Sequence, residues 1–520
     1  MRIDEIIQYH AIQRPASLAL IQDDVPLSFG ELELMVRRMA NGFTRLGVVK
    51  GDRIAVLSEN DRDLVLIIIA AAKIGAVAVP VNYRLAGPEL AYVIDDSRAK
   101  VVVVTDSGLV PALVQQTLSC EPVLLGVGDG LPATWQDWRV FWQAQADDSP
   151  ASVSDIADAF IQLYTSGTTG RPKGVVLSHR NLVDLSLAGL IAAEQRPAVG
   201  DTELVMAPLF HVGAIASLFY SLVIAVTVIL HRSFNPHAVV DAIEKYHLKA
   251  LFMVPAMIQA IISTVPDIEE RDFSSLKRIN YGAAPIGEGL LKKALAIFSC
   301  DFQQSYGMTE TGAAICQLTV ADHHKALTGM PELLKSCGRE NPASQMRVVD
   351  EQGQPVADGE LGEIIVKSTT NMLGYWQLPE QTAQTLRDGW LYTGDVGYRD
   401  AEGYYFLMDR KKDVVVSGGE NIYPNEVERV LQLHESIEDV AVIGIPDEQY
   451  GEALLACCVM DGGQAIDEAA LIAFCRDHLA GYKIPRRYLM LDQLPRNPSG
   501  KVLKTVLREP YWQHSDRRIG

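Results

Sequence analysis

Twelve residues, Tyr164-Thr-Ser-Gly-Thr-Thr-Gly-Arg-Pro-Lys-Gly-Val175, hold the densest chemistry in the chain. Between Thr165 and Gly174 they gather four hydroxyls (Thr165, Ser166, Thr168, Thr169), three glycines (Gly167, Gly170, Gly174), Arg171 and Lys173. Glycine lets backbone N–H groups come close to an anion, while hydroxyls and a lysine add donors for phosphate oxygens. The same composition would suit a plain polar surface loop. The flanks favour the functional reading. Ala159-Phe-Ile-Gln-Leu163 reads as a buried strand, and beyond Val175 either Ser178 or His179 could open a helix. A donor-rich loop sprung from a core strand is a phosphate cradle.

It is not the P-loop of the common NTPases. That motif needs a glycine, four residues, then Gly-Lys-Ser/Thr, so that the hydroxyl can hold magnesium. Here Lys173 precedes Gly174 and Val175 follows. The other Gly-Lys pair, Gly500-Lys501, is followed by Val502 and has Pro495 where the first glycine belongs.

The elements that must carry such a loop are legible as a rhythm. Through the first 400 residues or so, apolar helical stretches alternate with short β-rich runs: Gly51–Leu57, Val101–Val104, Leu204–Ala207 and Ala250–Val254. Such alternation predicts βα units and largely parallel sheets. From about residue 340 the texture becomes that of antiparallel strands about glycine turns, as in 346–356, 362–367 and 390–408. After the charged turn 409–413 a small α+β region follows. It carries a helix near 424–433, strands near 440–445 and 453–459, and a helix near 467–479. The expected fold is therefore α/β. A large N-terminal domain, 1–409, holds helix-flanked, largely parallel sheets and a small antiparallel barrel-like sheet, and a small α+β domain, 410–520, follows.

Bulk composition bounds the function. A 520-residue chain exceeds one core, and 48% hydrophobic with 21% charged residues is that of a soluble globular protein. A net charge of −19 argues against nucleic acid, although Arg410-Lys411-Lys412 could still serve a small anion. Seven scattered cysteines without a C-x-x-C pair imply neither a zinc knuckle nor a disulfide framework. With no signal-peptide core at Met1-Arg-Ile-Asp-Glu-Ile, a reducing cytoplasm is the simplest compartment. The charge-free run Val212–Leu230 is long enough for a membrane span, but its polar residues and β-branched end predict a buried helix followed by a buried parallel strand. The run Leu64–Pro80, interrupted by Lys73, reads the same way.

Taken in order, the motifs resemble one family across nearly the whole chain: the adenylate-forming enzymes, which comprise acyl- and aryl-CoA synthetases, luciferases and adenylation domains. The resemblance implies that a carboxylate and ATP give an acyl-adenylate and pyrophosphate, with Mg²⁺ as cofactor and coenzyme A as co-substrate. It implies that the loop bearing Thr165, Ser166, Gly167, Thr168, Thr169 and Lys173 grips the pyrophosphate end of ATP. In Gln304-Ser-Tyr-Gly-Met-Thr-Glu310, the stretch Ser305, Tyr306, Gly307 and Met308 would meet the adenylate. There Tyr306 stacks on adenine, Thr309 bonds phosphate and Glu310 holds magnesium, a hard cation that takes oxygen ligands. Asn280-Tyr-Gly-Ala-Ala-Pro-Ile286, with Gly282, Ala283, Ala284 and Pro285, would border the adenine and the acyl pocket. Asp395 of Tyr392-Thr-Gly-Asp395 and Arg410 would receive the ribose hydroxyls.

A histidine placed like His211, in Pro208-Leu-Phe-His211, is ordinarily a satisfied core residue; the resemblance makes it a gate beside the substrate carboxylate. Lys501, in Leu494-Pro-Arg-Asn-Pro-Ser-Gly-Lys501, would bind the carboxylate and α-phosphate as charge develops. Ser417, Gly418, Gly419 and Glu420 match a loop that serves the thiol acceptor, and Lys412 sits at the family's hinge, about which the small domain turns between half-reactions. Cys337-Gly-Arg-Glu-Asn-Pro-Ala343 and Asn497-Pro498 depart from the family pattern.

Val212, Ala216, Met253, Val254, Gly282 and Ala314 fall in the family's pocket segments. They are small or apolar, with no acid to greet an amino group, so an aliphatic or aromatic carboxylic acid is expected. Two alternatives stand beside a CoA ligase: an acyl-AMP ligase that loads a separate carrier protein, and a non-catalytic nucleotide- or acyl-binding regulator. No integral membrane segment and no nucleic acid partner are expected, and a homodimer is the default oligomer.

Overall fold

The computed structural model describes residues 1–150, 154–165, 171–193, 196–284, 286–410, 413–417, 420–447, 449–463, 467–496 and 502–512. The chain divides into two compact units, Met1–Gln345 with Val366–Leu391, and Met346–Ile365 with Tyr392–Gly520.

The larger unit is built on two sheets. The first runs, edge to edge, through Arg339–Glu340, Ala313–Leu318, Asp301–Met308, Arg278–Gly282, Ala250–Met253, Thr202–Val205, Thr227–Leu230, Leu18–Gln22 and Val25–Ser28. From Asp301–Met308 to Leu18–Gln22 each neighbouring pair is parallel, and antiparallel strands close both edges. Parallel neighbours need helical crossovers, which is why Pro236–Tyr246, Pro255–Thr264 and Glu288–Phe298 separate the strands in sequence. The charge-free run resolves as expected into the helix Val212–Val223 and the fully buried parallel strand Thr227–Leu230. Among the described residues no helix is long and apolar enough to cross a membrane.

The second sheet runs Gly374–Tyr375, Lys173–Ser178, Ala159–Thr165, Val77–Val81, Arg53–Leu57, Ala99–Val104, Val123–Gly126 and Gln136–Asp137. The run 64–80 divides into the helix Arg62–Ile74 and the buried strand Val77–Val81. Gly75 ends that helix at φ +76°, the left-handed turn a side chain resists. Its buried Lys73 is neutralised by Glu33, Nζ to Oε1 3.0 Å.

One feature differs from the sequence reading. The hydroxyl-rich segment does not pass straight to a helix. Lys173–Ser178 is a return strand, antiparallel to Ala159–Thr165 with Lys173 opposite Thr165. The helix His179–Ala192 then starts from a reciprocal cap: Ser178 Oγ accepts the Asn181 N–H (3.3 Å) and Asn181 Oδ1 accepts the Ser178 N–H (2.7 Å).

The second unit contains most of a curled antiparallel sheet built on Trp390–Arg399, with Tyr405–Arg410 antiparallel beside it. Its other sheet joins Glu420–Ile422, Val415–Ser417, Gly451–Met460 and Ile437–Asp447, with Arg487–Met490 parallel to Gly451–Met460. Alternate residues of the two long strands face opposite ways. Val440, Val442, Leu454, Ala456 and Cys458 share a core with the helices Pro424–Leu431 and Glu468–His478. Ala441, Ile443, Ala453, Leu455 and Cys457 share another with Leu494, Val502 and Leu507. Burial on both faces accounts for two nearly continuous apolar runs in the sequence.

Candidate active site

An open parallel sheet presents a ligand site beyond the carboxyl ends of its strands. Four strands of the first sheet end in residues singled out by the sequence. Thr202–Val205 leads through Pro208-Leu-Phe to His211, and Ala250–Met253 leads to Val254. Arg278–Gly282 leads to Ala283 and Ala284, and Asp301–Met308 leads to Thr309 and Glu310. Neighbouring strands are in register here, Met253 opposite Tyr281 and Gly282 opposite Ser305, so these ends form one edge.

The approach to His211 is pinned by Asn60, which is buried. Its amide donates to the carbonyls of Ala207 (2.9 Å) and His231 (3.1 Å) and accepts the Leu209 N–H (2.8 Å). His211 lies beside Phe210, ring centroids 4.4 Å apart, and its Nε2 has no hydrogen-bond partner among the described residues. Burial, aided by the charge of Arg84, pulls its pKa down to about 4, so the imidazole is neutral at physiological pH.

Strain collects at this edge. Ala283 and Ala313 adopt φ of +66° and +120°, conformations that cost a side-chain-bearing residue of order 1–3 kcal/mol and that persist where the surroundings over-determine them. At Tyr306/Gly307 the strand pairing with Ala313–Leu318 shifts by a bulge. A Cβ on Gly307 would stand 1.7 Å from the Ala313 carbonyl oxygen, so glycine alone fits. Thr311, fully buried, accepts the Met308 N–H (3.0 Å) and donates to the Ala313 carbonyl (2.7 Å), holding the turn that carries Thr309 and Glu310.

The segment 369–376, which carries no motif of its own, ties this edge to the hairpin of the second sheet. Asn181 Nδ2 donates to the carbonyls of Thr369 (2.8 Å) and Asn371 (2.9 Å). The Met372 N–H donates to the Glu310 carbonyl (2.8 Å), and the Trp376 N–H to that of Gly174 (2.7 Å). The Tyr375 hydroxyl donates to Glu310 Oε1 (2.9 Å), and Lys173 Nζ lies 5.2 Å from the centre of the Tyr375 ring. Lys173, Tyr375 and the buried carboxylate of Glu310 thus form one constellation. Thr165 ends the strand opposite Lys173, while Ser166, Gly167, Thr168 and Thr169, like Pro285, lie outside the described residues.

Two of the small positions, Gly213 and Gly282, stand against one aromatic ring. Cβ atoms on Gly213 and Gly282 would meet the ring of Phe252 at 3.7 and 3.6 Å. Strand alternation turns Phe252 to this side and Met253 into the hydrophobic core, where it is fully buried. Val212, Ala216, Val254 and Ala314 are half-buried. Phe252 was not a sequence candidate; only the face it occupies distinguishes it from Met253.

In the second unit Asp395 stands opposite Arg410 across the Trp390–Arg399 and Tyr405–Arg410 pair, with Arg410 Nε 2.6 Å from Asp395 Oδ1. Asp395 is buried, and its N–H bonds Thr393 Oγ1 (3.0 Å), which itself donates to the Ile364 carbonyl (2.7 Å). Ser417 is buried and pairs with Glu420, which is exposed; Gly418, Gly419 and the hinge candidate Lys412 lie outside the described residues. So does Lys501, but its flanks are fixed. Arg496 and Val502 form an antiparallel bridge, and the Leu503 N–H donates to the Pro495 carbonyl (2.7 Å).

Comparison with known proteins finds relatives along nearly the whole chain. A family model described as AMP-binding enzyme covers residues 7–376, and one described as AMP-binding enzyme C-terminal domain covers residues 426–501. The chain is 35% identical over 517 residues to the fatty acid–[acyl-carrier-protein] ligase ScoC of Streptomyces coeruleorubidus, covering 98% of this chain and 96% of that one. It is 38% identical over 499 residues to a feruloyl-CoA synthase of an Amycolatopsis species, covering 96% of each. Two solved structures of the o-succinylbenzoate CoA synthetase from Bacillus subtilis share the fold. The complex with the acyl-adenylate intermediate OSB-AMP gives a TM-score of 0.83 at 28% identity over 99% of this chain and 98% of that one. The complex with ATP and a magnesium ion gives 0.83 at 29% over 96% and 98%.

Proposed function

The chain belongs to the AMP-binding enzymes, the adenylate-forming superfamily of AMP-forming acid–thiol ligases, and from that premise we propose that it joins an apolar carboxylic acid to coenzyme A through an acyl-adenylate. In the first step a carboxylate oxygen attacks the α-phosphorus of ATP, the bond to the bridging oxygen breaks, and pyrophosphate leaves. In the second the thiol sulfur attacks the acyl carbon, AMP leaves and the thiol proton passes to solvent.

The observation that carries this reading is the constellation of Lys173, Tyr375 and Glu310 at the carboxyl edge. Lys173 and the hydroxyls of the segment 165–169 grip the pyrophosphate end. Glu310 fits a magnesium ion: it offers carboxylate oxygens, and a Mg²⁺ that neutralises phosphate charge needs only one or two protein carboxylates, taking its remaining ligands from phosphate and water. Tyr306 receives adenine, Asp395 and Arg410 the ribose, and neutral His211 borders the substrate carboxylate without attracting it as a fixed charge would. Lys501 stabilises charge on the carboxylate and α-phosphate, and the loop Ser417–Glu420 serves the thiol. A boundary at 409/410 with its hinge at Lys412 would let one small domain support both steps. Seven scattered cysteines without a C-x-x-C pair suit a reducing, cytoplasmic setting.

The small and apolar residues Val212, Ala216, Val254 and Ala314, with Phe252, favour an apolar tail, aliphatic or aromatic, in keeping with relatives named for a fatty acid and for ferulate. The fatty acid relative is named for an acyl carrier protein, so a carrier thiol is the second reading. Incubation with ATP, Mg²⁺ and a panel of fatty, benzoic and cinnamic acids tests both. Free CoA as acceptor should give an acyl-CoA with AMP and pyrophosphate. Product only on a phosphopantetheinyl carrier would select the second reading, and absence of acid-dependent ATP–pyrophosphate exchange across the panel would overturn the enzyme.

A further inference from the structure

Tyr375 is given no task of its own above, yet it touches both charged groups on which ATP handling there depends. Its position is built, not incidental. Gly374 and Tyr375 pair antiparallel with Val176 and Val175 in the hairpin's return strand, and the Leu373 N–H donates to the Val176 carbonyl (2.9 Å). The Tyr375 N–H donates to Thr382 Oγ1 (2.9 Å). The next residue, Trp376, donates its indole N–H to the Asp96 carbonyl (3.0 Å), and the Arg53 guanidinium lies 3.4 Å from the centre of one of its rings. Gly374, at φ +151°, keeps clear of Thr382, whose Cγ2 a Cβ would approach to 2.8 Å. The backbone on both sides of Tyr375 is thus fixed, and its side chain has a defined reach to Glu310.

We propose that Tyr375 is a positioning residue for the adenylation step, resting on the reading that Glu310 carries the magnesium ion and Lys173 grips the phosphates. Its hydroxyl occupies Oε1 of Glu310 and so turns Oε2 toward the cation. Its ring face, within cation–π range of Lys173 Nζ, holds the ammonium beside the same carboxylate until phosphate oxygens replace the ring as its partner. One side chain then sets the spacing between the cation ligand and the phosphate clamp, across two sheets that share no strand.

The two contacts can be removed separately. Tyr375→Phe keeps the ring and loses the hydroxyl; Tyr375→Leu loses both. In ATP–pyrophosphate exchange, Tyr375→Phe should lower kcat about tenfold and raise the Mg²⁺ concentration needed for half-maximal rate, with KM for ATP within about twofold of the parent. Tyr375→Leu should add a severalfold rise in KM for ATP. Thioester formation from preformed acyl-adenylate should be retained by both. The proposal is overturned if Tyr375→Phe keeps the parent's kcat and Mg²⁺ dependence. It is equally overturned if both half-reactions fall together with the melting temperature, which is the mark of a merely structural residue. Glu310→Gln and Lys173→Met in the same assays separate this from the reading beneath it. If they leave Mg²⁺ and ATP dependence unchanged, the assignment of those two groups fails; if they shift it while the Tyr375 variants do not, only the role of Tyr375 fails.

Discussion

Phe252 and Met253 are neighbours in one strand, and the pleat sends them to opposite fates. Met253 fills the core, while Phe252 puts its ring against two positions, Gly213 and Gly282, where no side chain intervenes. The glycines are not interchangeable: a Cβ on Gly282 would stand 2.5 Å from the Ser305 carbonyl oxygen, whereas one on Gly213 meets nothing closer than the ring. In the proposed reaction the ring would bound the acyl tail on this side. Phe252→Ala should shift the ratio of kcat/KM values toward bulkier, ring-bearing acids by about tenfold or more, since a single methylene in an apolar pocket is already worth 10-fold or so. KM for ATP should not move. A panel comparing slim aliphatic with ring-bearing acids checks this, and an unchanged ratio would remove Phe252 from the pocket wall.

The helix Lys504–Trp512 begins three residues after Lys501 and is anchored by charge as well as by apolar contact. Lys504 Nζ lies 2.8 Å from Glu428 Oε1, and Arg508 Nη1 lies 2.7 Å from Asp413 Oδ1, each pair largely buried. Burial pulls Lys504 down, but the carboxylates of Glu428 and Asp409 lift it on balance; burial lifts Glu428, against the pull of Lys504. Glu428 also accepts the Val442 N–H (2.6 Å), fixing it to the edge strand Ile437–Asp447. Breaking such a pair from one side leaves a buried charge and costs about 3–5 kcal/mol. Lys504→Met should accordingly speed amide hydrogen exchange across 502–512, and Lys504→Met with Glu428→Gln should recover much of the protection. Equal exchange in the parent and the single variant would show the pair to be dispensable. At this scale the sequence is a mixed guide. Helices and strands that bury a continuous apolar run announce themselves through long apolar stretches, charge-free in 212–230 and broken only by Lys73 in 64–80. The return strand Lys173–Ser178 did not, because it is buried on both faces and carries no alternation. The placement of Tyr375 was equally illegible, since it depends on pairing with a strand about two hundred residues earlier. The hydroxyl-rich segment, the Tyr306–Glu310 stretch and Asp395 were readable as local strings; what joins Lys173 to Glu310 was not, because it is made by tertiary contact alone.

Over the whole molecule, an excess of acidic residues, −19 in net charge, coexists with a larger unit whose interior holds histidines in neutral form. Burial lowers the pKa of His10, His179, His211, His231 and His323, all of that unit. His179 is the clearest. It is fully buried against Phe160, ring centroids 4.9 Å apart, and neither ring nitrogen has a hydrogen-bond partner among the described residues. Burial brings it from 6.5 to about 4, overcoming the pull of Asp4, Asp158 and Glu5, with Arg2 acting in the same direction as burial. A histidine depressed in this way binds a proton more readily in the unfolded chain. Its contribution is therefore complete above pH 6.5, declines as pH falls toward 4, and is lost below that. Between pH 7.5 and pH 5 the loss from this one residue is about 2 kcal/mol. Buried carboxylates with raised pKa values, such as Glu203 and Asp63, act with the opposite sign, so the total pH profile does not isolate the histidine. A difference measurement does. His179→Leu removes the titrating group while keeping an apolar contact with Phe160, and should flatten the acid limb relative to the parent by about 2 kcal/mol at pH 5, whatever its offset at pH 7.5. Denaturant unfolding at the two pH values, followed by a probe in the larger unit, reads this directly. Parallel profiles for parent and variant would mean that His179 is hydrogen-bonded or hydrated in solution and titrates as an ordinary imidazole.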